Sequence, residues 1–313
     1  MMTDDARTGL ACPRHPETGE LTSVPGRATL ECRFCGAEYP VREGIADLVR
    51  DESDDVFHTE ARQWDRLADE YEQTRGQDPR YMAAIAAAVN VLDARPGECV
   101  LDAGCGTGLT TRRLAGRGFD LTALDASHAS LRFLRDRLRG RPVRLVHSDL
   151  AELPFPDQSF DRILCANVLQ QVEGHAARQR CVAEMHRVLR PGGRVVVTVQ
   201  HFSAPRRWAG WVKEGPTGHG LRYIYRFDRG EFAALLATAF AVRRLGGVGF
   251  PLPYRFKLAP VSRLVSQFAE RIPAAARFAD ILVGVGIKPA ETSGTMVVDA
   301  DTPRELIGHV RSN

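Results

Sequence analysis

The 313-residue sequence lacks a long apolar run and lacks a segment that resembles a secretion signal. Residues 1–10 are polar and acidic, and no apolar stretch approaches the roughly 18 residues of a membrane span. The longest weak candidate, Ile281–Ile287, is short and broken by glycine, which is typical of a buried strand or helix end. We therefore expect a cytoplasmic protein without a membrane span.

A large excess of charge of one sign is also absent. The chain has 42 basic against 39 acidic residues, a net charge of +3, which is too small to indicate nucleic-acid binding. The distribution is less even, because residues 201–289 hold 14 Lys and Arg against 5 Asp and Glu. This basic region suits an anionic acceptor, RNA or a membrane surface, and equally suits solvated arginines on helix faces.

Cysteine is scarce, with seven residues in the whole chain. In a reducing compartment this number argues against a disulfide scaffold. Four of the seven are scattered through the chain: Cys99, Cys105, Cys165 and Cys181. The other three cluster near the N-terminus and need a separate explanation.

Those three cysteines and a histidine have the spacing of metal ligands. Cys12 and His15 form C-x₂-H, Cys32 and Cys35 form C-x₂-C, and sixteen residues separate the two pairs. Four protein ligands leave no open position, so the pattern predicts a structural Zn²⁺ in a small zinc ribbon. The alternative is an incidental His15 and a metal-free ribbon.

From residue 96 onward, short apolar runs alternate with amphipathic segments, which is typical of a parallel α/β sheet. Two helices are expected before it, within residues 56–93. The pattern predicts strands near 99–103, 120–125, 143–147, 160–166 and 193–200, with helices near 108–116, 128–139 and 175–189. A later helix near 229–239, a strand near 240–245 and a last strand near 295–298 follow.

A glycine-rich turn lies between the first predicted strand and its helix, where residues 100–108 read VLDAGCGTG. Glycines permit positive φ and let a ligand lie against free backbone N–H groups. The next strand ends in Asp125, the position from which a carboxylate bonds ribose hydroxyls in doubly wound sheets. A nucleoside cofactor is therefore predicted. NAD or FAD is the second choice, because Leu109 stands where the dinucleotide fingerprint requires glycine.

This glycine turn resembles the first motif of class I S-adenosylmethionine-dependent methyltransferases of the type 11, UbiE-like group. Three later stretches also resemble that family: Ser148 to Leu150, the segment 153–169, and LRPGGRVVV at 189–197. The resemblance implies an α/β, doubly wound Rossmann-like seven-stranded sheet and S-adenosylmethionine as cofactor. It places the methionine part at Asp102 and Gly104 to Gly108, the ribose at Asp125, the adenine at Asp149 and Leu150, and the reactive methyl near Asn167. The cofactor-binding residues it implies are Asp102, Gly104, Cys105, Gly106, Gly108, Asp125, Ala126, Asp149, Leu150 and Asn167. Alternatively, the glycines serve only close packing and Asp149 only caps a helix.

The stretch after the cysteines, YPVREGIADL at 39–48, resembles the tail of Trm112-like zinc ribbons found beside methyltransferase domains. His15 departs from their commoner four-cysteine pattern. Such ribbons also resemble one that precedes certain ribosomal RNA methyltransferases, which keeps an RNA substrate open. Against RNA, residues 1–50 have no strong basic excess.

The segment after the fifth predicted strand concentrates candidate acceptor-binding residues, namely His201, Trp208, Trp211, His219, Tyr223 and Tyr225. They suit an acceptor pocket or lid, and equally the ordinary packing of a long loop. His201 directly follows the strand and is the preferred general base. Gln170, Gln171 and His175 are further candidates, and 254–288 is expected to be a helical insertion that serves as a lid, a membrane-touching helix or a dimer element.

Together these features divide the chain into a ribbon (1–50), a helical connector (51–95), a cofactor-binding core (96–200) and an acceptor-shaping region (201–313). We expect a methyltransferase that acts on a small-molecule metabolite or natural product. An rRNA or tRNA methyltransferase is the alternative enzyme, and a non-catalytic zinc-ribbon binding module is the alternative outside enzymes. The sequence specifies neither the acceptor atom nor the oligomeric state.

Overall fold

The N-terminal segment folds into five short strands. The computed structural model describes residues 9–49, 62–68, 73, 76–216, 223–249 and 273–290. Within the first of these ranges, the strands are β1 (Ala11–Cys12), β2 (His15–Ser23), β3 (Thr29–Cys32), β4 (Glu38–Arg42) and β5 (Ile45–Asp47). Neighbouring strands in this series pair antiparallel, as expected for chain reversals of a few residues.

Two helices precede the core, as predicted for residues 56–93. The first, α1, occupies 62–68, and the second, α2, is Pro79–Leu92. In α2 the residues Ile85 and Leu92 are fully buried, and the helix contacts strands of the core sheet. The apolar helical spacing of the sequence therefore marks the face that packs on the sheet.

The core alternates strands and helices at nearly the predicted bounds. In order, its elements are β6 (Cys99–Ala103), α3 (Thr111–Leu114), β7 (Asp120–Asp125), α4 (His128–Leu138), β8 (Arg144–His147), β9 (Phe160–Ala166), α5 (His175–Val188) and β10 (Leu189–Gln200). The remaining elements are α6 (Ala204–Trp208), β11 (Glu214–Gly215), β12 (Ile224–Tyr225), α7 (Arg229–Ala237), β13 (Ala241–Val248) and β14 (Ile281–Ile287).

One sheet of twelve strands passes through the described part of the chain, in the order β1-β2-β3-β4-β5-β8-β7-β6-β9-β10-β14-β13. Seven of these strands, from β8 to β13, form the core part of the sheet, and only β14 is antiparallel to its core neighbours. Apolar clusters cover both faces of this sheet. The strands are buried on both sides, which explains their nearly continuous apolar sequences.

The sheet does not stop at seven strands, because β5 pairs in parallel with β8 and brings the N-terminal strands with it. The backbone N–H of Ala11 also donates to the carbonyl of Pro154, 2.9 Å away. Leu10 and Leu21 belong to the same apolar cluster as Phe155 of the core. The N-terminal segment therefore packs directly against the core.

The expectation of a helical insertion over 254–288 is wrong for its C-terminal part. Ile281–Ile287 is a strand that lies between β10 and β13, and 273–278 forms a short 3₁₀ helix. A side chain at Gly284 would come within 2.4 Å of Leu236, and one at Gly286 within 2.7 Å of Phe240. These glycines interrupt the apolar run in the sequence. In the structure they leave room for the side chains that pack on the strand. Most of the insertion and the strand expected near 295–298 lie outside the described residues.

Among the described helices, none combines the length and apolar character needed to cross a bilayer.

Candidate functional site

A cleft opens at the carboxyl ends of the parallel strands, where the strand order reverses between β6 and β9. This edge is where ligands bind in open α/β sheets. The cleft encloses about 1030 Å³, counting the part open to solvent. Its walls contain all the predicted cofactor-binding residues except Asp102 and Gly108.

The three glycines of the turn after β6 have different surroundings, although all three have positive φ. A Cβ at Gly104 would approach Val168 to 2.3 Å, and one at Gly108 would approach Leu134 to 2.3 Å. A Cβ at Gly106 would meet no atom of a described residue within 4 Å. Gly104 and Gly108 are therefore required by packing, whereas Gly106 leaves free space on the wall of the cleft.

Asp102 lies behind the glycine turn and is fully buried. One of its oxygens, Oδ2, accepts a 2.6 Å hydrogen bond from the Thr111 hydroxyl, and Oδ1 has no partner in the part of the chain that the structure describes. Burial raises the pKa of Asp102 to about 7. The structure therefore places this residue next to the turn, in contact with α3, and outside the lining of the cleft.

Asp125 ends β7 and lines the cleft beside Ala126. Its carboxylate accepts the N–H of Gly106 at 2.7 Å and the N–H of Ser127 at 2.9 Å. Burial raises the pKa of Asp125, and the two N–H donors oppose that rise. Since each carboxylate oxygen has two lone pairs, both oxygens retain the capacity to accept a further hydrogen bond.

The ends of β8 and β9 add the remaining predicted groups. Asp149 and Leu150 line the cleft after β8, and Oδ1 of Asp149 also accepts the N–H of Ala151 at 2.9 Å. Asn167 follows β9 with φ of 61° and is only 7% exposed. Both polar atoms of its side-chain amide are buried without a partner among the described residues, a costly condition that a bound polar ligand would relieve.

His201, the predicted general base, is not part of the cleft lining. It is buried, and its Nδ1 donates to the carbonyl of Ala279 over 2.9 Å. Burial lowers the pKa of His201. Its catalytic role stays a prediction, and the described cleft walls contain no histidine.

The other acceptor candidates lie in different places, and only some of them reach the cleft. Gln171 lines the cleft, whereas the side chain of Gln170 accepts the N–H of Gln200 and holds β10. Trp208 and Trp211 are 77% and 49% exposed on the surface. His219 lies outside the described residues.

The cleft-lining residues that the sequence reasoning missed include Trp64, Ala68 and Tyr81. They lie on α1 and α2, whose apolar spacing predicted only helix faces packed on a core. Asp65 of α1 accepts the hydroxyl of Ser127 at 2.6 Å and the N–H of Ala129 at 3.0 Å, which fixes α1 to the start of α4. The helical connector thus contributes one wall of the site.

The predicted metal ligands come together at the turns of the N-terminal strands. One ligand atom from each of Cys12, His15, Cys32 and Cys35 lies within 4.8 Å of the others. The Cys12 Sγ is 3.9 Å from the Cys35 Sγ and 4.0 Å from the His15 Nδ1. Zn–S bonds of about 2.3 Å in a tetrahedron separate two sulfurs by roughly 3.8 Å. We call these four residues the cysteine–histidine cluster.

Comparison with known proteins adds a family relationship for the core. Residues 101–197 match the family described as a methyltransferase domain, so the chain contains such a domain. The demethylmenaquinone methyltransferase of Tropheryma whipplei (strain Twist) is 42% identical over 125 residues, which cover 39% of this chain and 49% of that protein. The enzyme of the same name from Beutenbergia cavernae is 36% identical over 168 residues, 52% of this chain and 65% of that protein. The chain therefore spans between about half and two thirds of the length of these curated relatives.

Solved structures show that the fold is a Rossmann-like methyltransferase fold. A Thermotoga maritima protein, an S-adenosylmethionine-dependent methyltransferase described as a possible histamine N-methyltransferase, superposes with a TM-score of 0.55 at 18% identity. That superposition covers 73% of this chain and 99% of the other. The [4+2]-cyclase SpnF superposes with a TM-score of 0.53 at 20% identity, covering 75% and 97%. At these identities the similarity concerns the fold alone.

Proposed function

We propose that this chain transfers a methyl group from S-adenosylmethionine to a small-molecule acceptor. The observation that carries the proposal is the cleft at the reversal of strand order. The glycine turn, the Asp125 carboxylate, the Asp149–Leu150 pair and the unpartnered Asn167 amide line its walls together. These residues come from the ends of four different strands. Together they can contact the chemically distinct parts of one ligand.

The residues present fit that cofactor. Gly106 leaves open space on the wall, and Asn167 has a buried amide without a partner in the described part of the chain. Asp125 would accept the ribose hydroxyls, and Asp149 with Leu150 would hold the adenine. When bound, S-adenosylmethionine supplies an electrophilic methyl group on a sulfonium.

The contribution of the protein to this reaction is chiefly positioning. In-line displacement needs an oriented acceptor and a site that excludes water. Trp64, Tyr81 and Val172 supply apolar surface to the cleft, and Gln171 supplies a polar group. An acceptor whose nucleophilic atom has already lost its proton to solvent needs no separate base.

A small acceptor is favoured by the partly enclosed, aromatic cleft and by the curated relatives, which are named for methylation of demethylmenaquinone. The superposition on a cyclase shows that this fold does not determine the reaction. Transfer must therefore be measured directly. Purified protein with S-adenosylmethionine labelled in the methyl group would be offered a demethylated naphthoquinol, simple phenols, amines and total RNA. Label in a small product supports the proposal. Label in RNA alone refutes the proposal that the acceptor is a small molecule.

The cofactor site is tested separately by calorimetric titration with S-adenosylhomocysteine. Asp125→Ala removes the carboxylate at the cleft end of β7, and Asp120→Ala, at the exposed opposite end of the same strand, is the matched control. We expect loss or severe weakening of binding in the first variant and unchanged binding in the second. Folded wild-type protein without measurable affinity would refute the methyltransferase proposal and favour a binding module.

We also propose that the cysteine–histidine cluster holds a structural Zn²⁺. The support is the spacing of its ligand atoms and a close fit around them, because a Cβ at Gly19 would lie 2.6 Å from the Cys12 Cβ and 3.1 Å from the Cys32 Sγ. The Tyr39 hydroxyl, 3.1 Å from the Cys12 Sγ, would donate to the thiolate. Metal analysis should give one zinc per chain, lost in Cys32→Ser and retained in the control Cys99→Ser. A wild-type protein that is folded and zinc-free would contradict this proposal.

A further inference from the structure

Three residues form a row across the carboxyl edge of three neighbouring strands. Asp47 of β5 pairs in register with His147 of β8, and His147 pairs in register with Asp125 of β7. Asp47 belongs to the N-terminal strands that carry the cysteine–histidine cluster, whereas Asp125 lies in the cleft. His147 therefore stands between the N-terminal segment and the predicted ribose-binding loop.

The two ring nitrogens of His147 contact two hydrogen-bond acceptors. Its Nδ1 is 2.9 Å from the Asp47 Oδ1, and its Nε2 is 3.0 Å from the carbonyl oxygen of Ala126. A neutral imidazole has a single N–H, and neither a carboxylate nor a carbonyl can donate. Both contacts are hydrogen bonds only when His147 is the doubly protonated imidazolium.

The surroundings of His147 favour that charged form. Burial by itself lowers the pKa of His147, but the hydrogen bond and charge of Asp47, together with the Ala126 carbonyl, raise it above the ordinary value. The pKa of Asp47 is lowered by His147 in turn, against the effect of its own burial. The other charged or titratable groups that face this pair are Arg42 on β4, Asp65 on α1, Asp125 on β7, and His128 and Arg132 on α4.

We propose that protonated His147 positions the cofactor-binding loop 125–127 by tying the Ala126 carbonyl to Asp47 of the N-terminal segment. The inference rests on the proposed function, because it concerns affinity for the cofactor. His147 is a positioning residue, since it lies outside the cleft lining and acts through Ala126 and the adjacent Asp125. The N-terminal segment thereby contributes to cofactor binding without touching the cofactor.

The direction of the pH dependence follows from the number of protons on the His147 ring. Below the raised pKa, His147 makes both bonds and the loop is fixed. As the pH rises through that pKa, one charge-assisted bond is lost, and the affinity for S-adenosylhomocysteine should fall by about tenfold. Asp102, with a pKa of about 7, also titrates near neutral pH. The contribution of His147 is therefore taken as the difference in affinity between wild type and a variant that lacks His147.

The experiment measures S-adenosylhomocysteine affinity by calorimetry between pH 5.5 and 8.5 for wild type, His147→Gln, Asp47→Asn and the control His186→Gln. His186 is a half-buried histidine on α5 whose ring packs on Phe240, outside the cleft lining. Where the imidazolium has two N–H groups, the glutamine amide has one nitrogen donor and one oxygen that cannot donate. His147→Gln should therefore bind about tenfold more weakly at pH 6 and lose the difference at high pH. Asp47→Asn should bind like wild type at low pH, with its midpoint moved to lower pH. His186→Gln should match wild type throughout.

A second readout is independent of binding, namely the imidazole proton shifts of wild type and Asp47→Asn followed by NMR titration. A His147 pKa above that of a free histidine, lowered in Asp47→Asn, supports the inference even if His147→Gln fails to fold. Wild type that binds, with both variants unchanged in affinity and pH profile, overturns the inference alone. Folded wild type that binds at no pH overturns the proposed function, and the inference with it.

Discussion

The two glycines at the far end of the turn after β6 should respond differently to the same substitution. In Gly108→Ala the added Cβ meets the side chain of Leu134 at 2.3 Å, and Leu134 is fully buried on α4. In Gly106→Ala the added Cβ meets no atom within 4 Å. The pair therefore separates the packing role of the turn from its predicted role in binding.

The magnitudes follow from the backbone and the contact. Positive φ costs an alanine about 1–2 kcal/mol at either position. Overpacking against Leu134 adds about 1–3 kcal/mol at Gly108 alone. We expect Gly108→Ala to reduce the free energy of unfolding by about 2–5 kcal/mol and Gly106→Ala by about 1–2 kcal/mol. Because Gly106 lines the cleft, the methyl group added in Gly106→Ala should weaken S-adenosylhomocysteine binding by roughly tenfold or more.

The assay is urea unfolding without ligand, followed by calorimetric titration of each folded variant. Gly230→Ala is a control for the substitution itself, because Gly230 has no close neighbour at the added Cβ and lies in the first turn of α7. The reasoning would be refuted if Gly106→Ala lost as much stability as Gly108→Ala. It would also be refuted if Gly106→Ala bound the ligand as tightly as wild type.

Three further predictions concern stability and can be checked by unfolding or proteolysis. Lys288→Met should lower the free energy of unfolding in urea by about 1–3 kcal/mol, because the buried Lys288 ammonium donates at 2.9 Å to the carbonyl of His186 at the C-terminal end of α5. The control Lys213→Met, which removes a surface ion pair, should lower it by less than about 1 kcal/mol. Asp102 has a folded-state pKa of about 7, so between about pH 4 and 7 its carboxyl is protonated in the folded state and ionised in the unfolded state. The free energy of unfolding should therefore fall by up to about 4 kcal/mol as the pH rises through that window. Asp102→Asn should flatten this slope between about pH 4 and 7, and an unchanged slope would contradict it. Chelation of zinc-loaded protein should speed limited proteolysis within residues 9–49 and leave the cleavage pattern of zinc-free Cys32→Ser unchanged.

The core was predictable from the sequence because its signals are local. Apolar runs mark β6, β7 and β9, and the predicted bounds agree with those of the structure. The helix expected near 108–116 is reduced to Thr111–Leu114, since the glycine turn occupies the residues before it. Strand β10 starts at Leu189, four residues before the predicted start, because Leu189 already pairs with Phe160.

Other features depend on contacts that no local pattern contains. The strand β14 was not recognised as the neighbour of β10, because Gly284 and Gly286 weaken its apolar pattern while leaving room for the side chains of Leu236 and Phe240. The pairing of β5 with β8 joins three residues to a strand about a hundred positions away. For the candidate site, the glycine turn and strand ends were identified from motifs, whereas Trp64 and Tyr81 were not, because an apolar helix face has the same spacing whether it covers a core or a cleft.

The pairing of β5 with β8 has a consequence for synthesis of the chain on the ribosome. Asp47 emerges a hundred residues before His147, its partner in the sheet. At about 5–20 residues per second, the N-terminal strands wait roughly 5–20 s for their permanent neighbour. During that interval only their own hairpin contacts, and the metal where it is bound, oppose misfolding. The order of translation thus gives the N-terminal segment a need for local stabilisation before its neighbouring strand in the sheet exists.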